Sequence, residues 1–178
     1  MGRNLCLGAL LLAGISAVGP NDIRDEGVGT YTDPSVANQI SNFTINRQMV
    51  SCGVGMVGAS GALSGPFAML MYAKDIQFYH ADHAGKTITA SGRMRSITQT
   101  GGMTVEDVEH DFLAIAVDNA GTGSPDRFDV HFTTPFWSPT GAGAAFCTPS
   151  TVHPGWCRFG GDLIVSGGTQ LGDVSVGP

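Results

Sequence analysis

The amino-acid sequence predicts an all-β fold, an antiparallel β-sandwich or barrel of jelly-roll-like form with about eight or nine strands. Two observations support this prediction. Glycine makes up 26 of 178 residues and charged residues only 13%, so turn-formers are abundant and the long charged runs typical of helical bundles are missing. Short segments that alternate apolar and polar residues also recur roughly every eight to twelve residues, between glycine-rich turns.

The alternating segments begin near Phe43 and continue to the end of the chain. The continuous apolar run at 67–72 is typical of a strand buried on both faces. Residues 103–109 have no strong preference for or against helix, and we expect a short turn there. Strands are expected at the following segments: 43–50, 54–57, 67–72, 74–79, 86–97, 110–118, 127–132, 162–165 and 169–176.

Three segments divide the chain. Residues 1–19 resemble a signal peptide, because Arg3 precedes an apolar stretch at 5–18 that small residues follow. This stretch is too short for a comfortable membrane span. A buried N-terminal strand is the alternative, and the residues leave both interpretations open. Residues 20–41 are expected to form a polar lead-in or linker, and residues 42–178 a single β-sandwich domain.

The charge of the chain argues against nucleic acid as a partner. Its formal net charge is −6, and its nine Lys and Arg residues are scattered along the sequence. No basic stripe is therefore available to neutralise phosphates. We expect an exported protein, secreted to the extracellular space or held at the cell surface, with no stable membrane span.

The cysteines fit an oxidising compartment. Cys147 and Cys157 flank a turn-rich segment, and a disulfide between them would stabilise the fold by about 2–3 kcal/mol in the chain-entropy model. A disulfide between Cys52 and either one would close a longer loop and stabilise the fold by nominally about 4.7 kcal/mol. Loop entropy alone therefore does not decide between the possible pairings. Locality favours the Cys147–Cys157 disulfide and makes Cys52 a buried thiol. No pair of cysteines has the C-x-x-C spacing of a zinc or redox site.

Four segments, in order, resemble a family of small exported bacterial β-domains often labelled post-COAP-1-type. Residues 63–67 and 79–83 match its early features, and 118–128 resembles its D-N-G-x-x-G-x-x-D-x-F turn. Residues 160–171 resemble its closing G-G-x-L-x-S-G-x-I-x-L hairpin. The chain departs from the family at Ala120, where glycine is usual, and in its cysteine-flanked excursion. The resemblance implies an accessory β-domain with no assigned activity.

Two histidines and nearby carboxylates suggest a metal site. His80, Asp82 and His83 lie close together in the sequence, with His110 and Asp111 further along. Such side chains bind zinc or another divalent ion when they converge. On a strand His83 would point away from the other two, so chelation requires an intervening turn. A polar loop that hydrogen-bonds its own backbone is the alternative, and the one we favour.

A second oxygen-rich segment contains Asp118, Asn119 and Asp126, with glycines at 121 and 123. Its oxygens would suit a hard cation such as calcium. The same residues form tight hairpin loops, because Asn and Asp tolerate the left-handed conformation and glycine supplies positive φ. We favour the turn interpretation. No cofactor is expected apart from such a calcium or zinc ion.

Trp137, Trp156 and Phe159 form a candidate ligand or partner platform, because tryptophan in a proline-bounded loop can stack on a sugar or a partner chain. The same rings could instead cover the core. No catalytic residue is assigned: Ser60 lacks the G-x-S-x-G elbow, and the acidic residues at 106–109 are expected in a solvated loop. Enzymatic activity is therefore not expected, although the sequence leaves the question open.

The sequence thus predicts a non-enzymatic extracellular structural or adhesive β-domain. It could self-assemble or bind another extracellular protein, since unpaired N–H and C=O groups at strand edges accept an added strand. The alternative hypothesis is a ligand- or metal-binding module for a carbohydrate or a divalent cation, with a minor hydrolase less favoured still.

Overall fold

The computed structural model describes residues 25–31, 39–56, 67–100, 103–133 and 148–177, and every regular element in these ranges is a β-strand. The predicted all-β fold is confirmed, and the described segments contain no helix that could cross a membrane. The strands are β1 Glu26–Tyr31, β2 Gln39–Ile45, β3 Val50–Met56, β4 Phe67–Asp82, β5 Thr87–Thr100, β6 Met103–Val117, β7 Arg127–Phe132, β8 Thr148–Pro149, β9 Cys157–Asp162, β10 Val165–Ser166, β11 Thr169–Gln170 and β12 Gly172–Ser175.

Ten of these strands form one antiparallel sheet in the order β12-β1-β2-β3-β4-β5-β6-β7-β9-β8, and β10 pairs with β11. From β1 to β7, neighbours in the chain are neighbours in the sheet, so the topology is a meander and shows no jelly-roll crossover. The end of the chain then returns, and β12 pairs with β1. Tyr31 forms an isolated bridge with Leu163, just after β9. The sheet therefore curls into a half-barrel.

Three aromatic side chains hold the curled sheet together. Phe43 of β2 stacks on Phe128 of β7, with ring centroids 4.3 Å apart. Tyr31 of β1 contacts both rings, at 5.8 Å from Phe128 and 6.2 Å from Phe43. All three side chains are buried. Because β2 and β7 are separated by four strands in the sheet, only a curled sheet brings these rings together.

Strand β4 differs from the sequence prediction, which placed separate strands at 67–72 and 74–79. It is one strand of 16 residues with register shifts between Ala73 and Asp75 and between Ile76 and Phe78. Each bulge inserts a residue and changes which side chains face the core, so the alternating pattern breaks without ending the strand. Gly92 pairs with Ile76, between the two bulges, and a Cβ atom there would come within 2.1 Å of the Asp75 carbonyl oxygen.

Two further segments differ from expectation. Residues 103–109 lie in strand β6 and not in a turn, because they pair with β5 over Ile97–Thr100 and neighbouring residues. The range 20–41, expected as a lead-in, contains β1, which pairs with β2 on one side and β12 on the other. Residues 1–19 lie outside the described ranges, so the signal segment stays a prediction.

The cysteine predictions have different outcomes. Cys52 is a buried free thiol, as predicted, and burial raises its pKa to about 12. Cys157 is buried at the start of β9. Its expected partner Cys147 lies outside the described ranges, so the disulfide stays a prediction.

We expect Phe43→Ala and Phe128→Ala each to lower the free energy of unfolding by about 3–5 kcal/mol, because each leaves a cavity in the core. The double variant should lose about 0.5–1.5 kcal/mol less than the sum, because either single change already breaks the stacked pair. Urea unfolding of the four proteins measures this coupling. Phe78→Ala is the control, because Phe78 is 51% exposed and should cost less than about 1 kcal/mol. Strict additivity would contradict the closing role of the pair.

Candidate functional site

The first metal candidates lie around the β4–β5 hairpin. His80 is exposed on β4. The Oδ1 atom of Asp82 accepts hydrogen bonds from the backbone N–H groups of Ala84 and Gly85, at 3.1 and 3.0 Å. His83 Nε2 lies 3.1 Å from Asp25 Oδ1. Asp82 is therefore a turn residue, and His83 links the hairpin to the residue before β1.

His110 and Asp111 point to opposite faces of β6. His110 is buried, with its Nε2 atom 2.5 Å from Ser96 Oγ and its ring edge-on to Phe132 at 5.9 Å. Asp111 is exposed and accepts a hydrogen bond from Arg93 at 2.9 Å. Neighbouring strand residues alternate faces, so these two side chains cannot serve one metal ion. Across the described part of the chain, no three His, Cys, Asp or Glu side chains are grouped so that they could hold a metal ion.

Burial sets the protonation of the two buried histidines. Desolvation, followed by the positive charge of Arg93, lowers the pKa of His110. Desolvation also lowers the pKa of His131 on β7, despite the opposing effect of Asp129. Both imidazoles are therefore held in the neutral form near pH 7.

The second oxygen-rich segment is a hydrogen-bonded loop between β6 and β7. Asp118 Oδ1 accepts a hydrogen bond from the Ala120 N–H at 2.7 Å. Lys86 Nζ lies 3.6 Å from the other carboxylate oxygen of Asp118. Asn119 Nδ2 donates to the Pro125 carbonyl oxygen at 2.6 Å. Gly121 and Gly123 have φ near +83° and +82°, the conformation that the turn interpretation requires.

Asp126 is the centre of a buried network, which we call the Asp126 network. Its Oδ1 accepts from the Asn119 N–H at 2.8 Å, and its Oδ2 accepts from Gln170 Nε2 at 2.7 Å and from the Val174 N–H at 2.9 Å. Its own N–H donates to Gln170 Oε1 at 2.7 Å. The carboxylate thus joins the β6–β7 loop to β11 and β12. Its lone pairs are directed at N–H donors, which is the arrangement of a structural carboxylate.

Of the three residues of the predicted aromatic platform, Trp156 lies near the surface and Phe159 lies in the core. Trp156 is half-buried and stacks on His153, with centroids 4.3 Å apart and planes at 25°. Phe159 is buried in the core, 5.1 Å from Phe132, because the inward face of β9 lines the half-barrel. Trp137 lies outside the described ranges.

Sequence reasoning missed a row of ion pairs across the outer face of β4, β5 and β6. Arg95 binds both carboxylate oxygens of Asp107, and Lys74 reaches across β5 to Glu109. With the Arg93–Asp111 pair, the acidic residues Asp107, Glu109 and Asp111 form a line along β6, which we call the acidic stripe. The signal was their spacing of two residues, which is that of one strand face.

The same part of β6 has an open side. Strand β7 pairs with β6 only from Phe112 to Val117. The ladder ends where the Thr133 N–H donates to the Asp111 carbonyl oxygen at 3.1 Å and Thr133 Oγ1 accepts from the Asp111 N–H at 3.2 Å. Residues Met103–His110 pair with β5 but with no other described strand. By the alternation of an antiparallel ladder, the backbone groups of Asp107 and Glu109 face this side, which we call the open edge.

Three other sheet edges in the described ranges carry features that oppose strand addition. On β12, Asp126 occupies the Val174 N–H, and Gln170 Nε2 donates to the Gly172 carbonyl oxygen at 3.1 Å. Strand β8 has two residues and ends in Pro149, and β4 carries two bulges beyond its pairing with β3. Short strands, prolines, bulges and blocked backbone groups are the usual means of protecting an edge.

Comparisons with known proteins add no assignment: the chain matches no protein-family model, no curated protein and no solved structure. The resemblance to the exported bacterial family therefore stays a prediction.

We expect Asp126→Asn to lower the free energy of unfolding by about 2–4 kcal/mol, because an amide NH₂ group would then face buried N–H donors. Thermal and urea unfolding measure the loss. The control is Asp162→Asn, which should cost less than about 1 kcal/mol, because Asp162 is 59% exposed and pairs with Arg127 at the surface. A rise in the unfolding midpoint of the wild-type chain with calcium, absent in Asp126→Asn, would contradict this structural role.

The free energy of unfolding should fall as the pH is lowered below 6.5, the ordinary pKa of histidine. The unfolded chain then binds protons that the buried neutral His110 and His131 do not bind, so acid favours unfolding. The measurement is urea unfolding at about pH 7.5 and about pH 5.5, where most carboxylates are still ionised. His110→Gln should reduce the pH dependence, and Gln48→Ala, at an exposed position without a titrating group, should leave it unchanged. Equal pH dependence in wild type and His110→Gln would contradict the assignment.

Proposed function

We propose that this chain is a non-enzymatic structural or adhesive domain that acts outside the cell by adding an extended segment to the open edge of β6. The observation that carries the proposal is the unpaired side of Met103–His110 in the described sheet. No strand in the described ranges hydrogen-bonds to the backbone N–H and C=O groups on that side, and such groups accept an added strand. Strand addition of this kind is a common mode of protein recognition.

The contrast between edges supports this choice. At β12 the Asp126 network uses the outward backbone groups, and at β8 a proline ends the strand. The described residues of the open edge have neither feature, although their strand is long. Each hydrogen bond to an added strand would contribute about 0.5–1.5 kcal/mol net, so several together give measurable affinity.

The extracellular location is the second component of the proposal. It is supported by the signal-like segment at 1–19 and by the cysteines that flank residues 148–156. A domain with this role needs no cofactor and no reactive side chain. Its function depends on backbone geometry and on the stability of the curled sheet.

A ligand-binding module is the second candidate. The observation that favours it is the half-buried Trp156 ring stacked on His153, which could support a carbohydrate ring. The two candidates differ in location, because Trp156 precedes β9 whereas the open edge lies on β6.

The test compares Glu109→Pro with Glu109→Ala. Both remove the carboxylate, but only proline removes the edge-facing N–H, a change that edge strands tolerate. Peptides of about nine residues, selected from a random library on the wild-type domain, should bind Glu109→Pro at least about tenfold more weakly than Glu109→Ala, or about 1.4 kcal/mol. Circular dichroism verifies folding, and Asp107→Pro with Asp107→Ala provides a second pair. Equal binding to the Pro and Ala variants would contradict strand addition at this edge.

A further inference from the structure

The loop between β8 and β9, residues 150–156, is attached to β7 through one hydroxyl group. Ser150 Oγ accepts hydrogen bonds from the backbone N–H groups of Val152 and His153, at 3.2 and 2.9 Å. The same oxygen lies 2.9 Å from Nδ1 of His131 on β7, and the His131 side chain is buried. We call these three contacts the Ser150 anchor.

The hydrogen bonds of this hydroxyl determine which nitrogen of His131 carries a proton. A hydroxyl group has one proton to donate and two lone pairs that accept. The backbone N–H groups of Val152 and His153 use both lone pairs, so the contact with His131 Nδ1 is donated by Ser150. Nδ1 therefore carries no proton while the loop is attached, and the network assigns the tautomer that is protonated at Nε2.

The surroundings of His131 also oppose a second proton. The charged and titratable groups that face it from the described elements are Arg127 and Asp129 on β7, Arg158 on β9 and His153 on the loop. Desolvation lowers its pKa most, and charge on Arg158, His153 and Arg127 acts in the same direction. Asp129 favours the charged imidazole, but its oxygens already accept from Nε of Arg127 and of Arg158, at 2.7 and 2.8 Å.

We propose that the β8–β9 loop is an acid-sensitive latch, which is released from β7 when His131 takes up a proton at Nδ1. The new N–H group would face a hydroxyl oxygen whose two lone pairs are in use, so at least one bond of the Ser150 anchor must break. Release of the loop exposes the imidazole to water, where it binds a proton with its ordinary affinity. The inference is independent of strand addition, because the open edge lies on β6.

Release of the loop leaves the core strands in place. Val152 is 47% exposed, and His131 alternates along β7 with Val130 and Phe132, which are buried in the core. The imidazole therefore lies on the outer face of β7, under the loop. His110, by contrast, contacts Phe132 with its ring, so its protonation acts on the core of the sheet.

The released loop carries the ring of the second candidate site. Trp156 stacks on His153, and its N–H donates to the His153 carbonyl oxygen at 3.1 Å. The Ser150 N–H donates to the Trp156 carbonyl oxygen at 2.9 Å. The backbone at both ends of the loop is thus linked to the Ser150 anchor, and the latch would make the position of the Trp156 ring depend on acidity.

The direction of the pH dependence follows from proton linkage. The attached loop keeps His131 neutral, whereas release lets it titrate near 6.5, the ordinary pKa of histidine. The attached state is therefore fully favoured above 6.5, and the released state gains as the pH falls through this value. Between about pH 7.5 and about pH 5.5 the opening equilibrium should rise by up to about tenfold, because the lower pH is about one unit below that pKa.

Hydrogen exchange of the Val152 and His153 amides in the full chain measures this opening. After correction for the intrinsic exchange rates, their protection factors should fall by about five- to tenfold from about pH 7.5 to about pH 5.5. In His131→Gln the fall should be less than about twofold, because position 131 no longer titrates. His110→Gln is the matched control: it removes the buried imidazole on the core side and should keep the full fall at both amides.

Nitrogen NMR of the wild-type imidazole tests the anchor without a variant. A proton on Nε2 and none on Nδ1 of His131 at about pH 7.5 would support the latch, and a protonated Nδ1 would overturn it. If His110→Gln abolishes the fall in protection, both amides exchange through unfolding of the whole sheet, and the latch is wrong. A fall that persists in His131→Gln and disappears in His153→Gln would assign the effect to the stack on Trp156 and would also overturn the inference.

Discussion

The contact between Phe43 and Phe128 is the interaction on which the rest of the structure depends. A meander needs only pairings between successive strands, and such pairings alone would allow an open, twisted sheet. Stacking these rings at 4.3 Å brings β2 against β7, and Tyr31 then bridges to Leu163 beyond β9. The chain after β9 thus lies beside β1, and the last strand, β12, pairs with β1. The core is the inside of this curl, filled by alternate residues of each strand.

The curling of the sheet also determines which backbone groups at each edge are hydrogen-bonded. It places Asp126 beside β12, where a single carboxylate serves three N–H donors from separate segments. The strands are staggered as well, since β3 covers only the first part of β4 and β7 only the last part of β6. The stagger leaves the beginning of β6 without a described neighbour on one side. Buried polar contacts thus occupy the backbone groups of β12. At the beginning of β6, by contrast, backbone groups beside the acidic stripe have no partner among the described strands.

The two faces of the sheet explain why His110 and Asp111, two of the predicted metal ligands, lie apart. His110 and Asp111 are adjacent in sequence, yet one packs against Ser96 in the core and the other pairs with Arg93 at the surface. Asp82 and Asp126 carry the right atoms for cations but use them to accept backbone N–H groups. In these oxygen-rich and glycine-rich segments, the carboxylates accept hydrogen bonds from nearby N–H groups of the protein itself. The sequence predicts Asp107 and Glu109, by contrast, in a loop, because the spacing of the acidic residues along β6 has meaning only when β5 lies beside them.

Local pattern was enough to predict the fold class, the buried thiol of Cys52 and the turn at 118–126, because alternation, burial of a small apolar side chain and positive φ at glycine are local properties. It also predicted the strand at Arg127–Phe132 with the observed bounds. The bulges in β4, the strand at 103–109, the role of Asp126 and the position of the open edge became visible in the folded chain alone. These features depend on register and curvature, which arise from pairing residues far apart in the chain. No local pattern encodes which backbone groups the described strands leave without a neighbour once the sheet has curled.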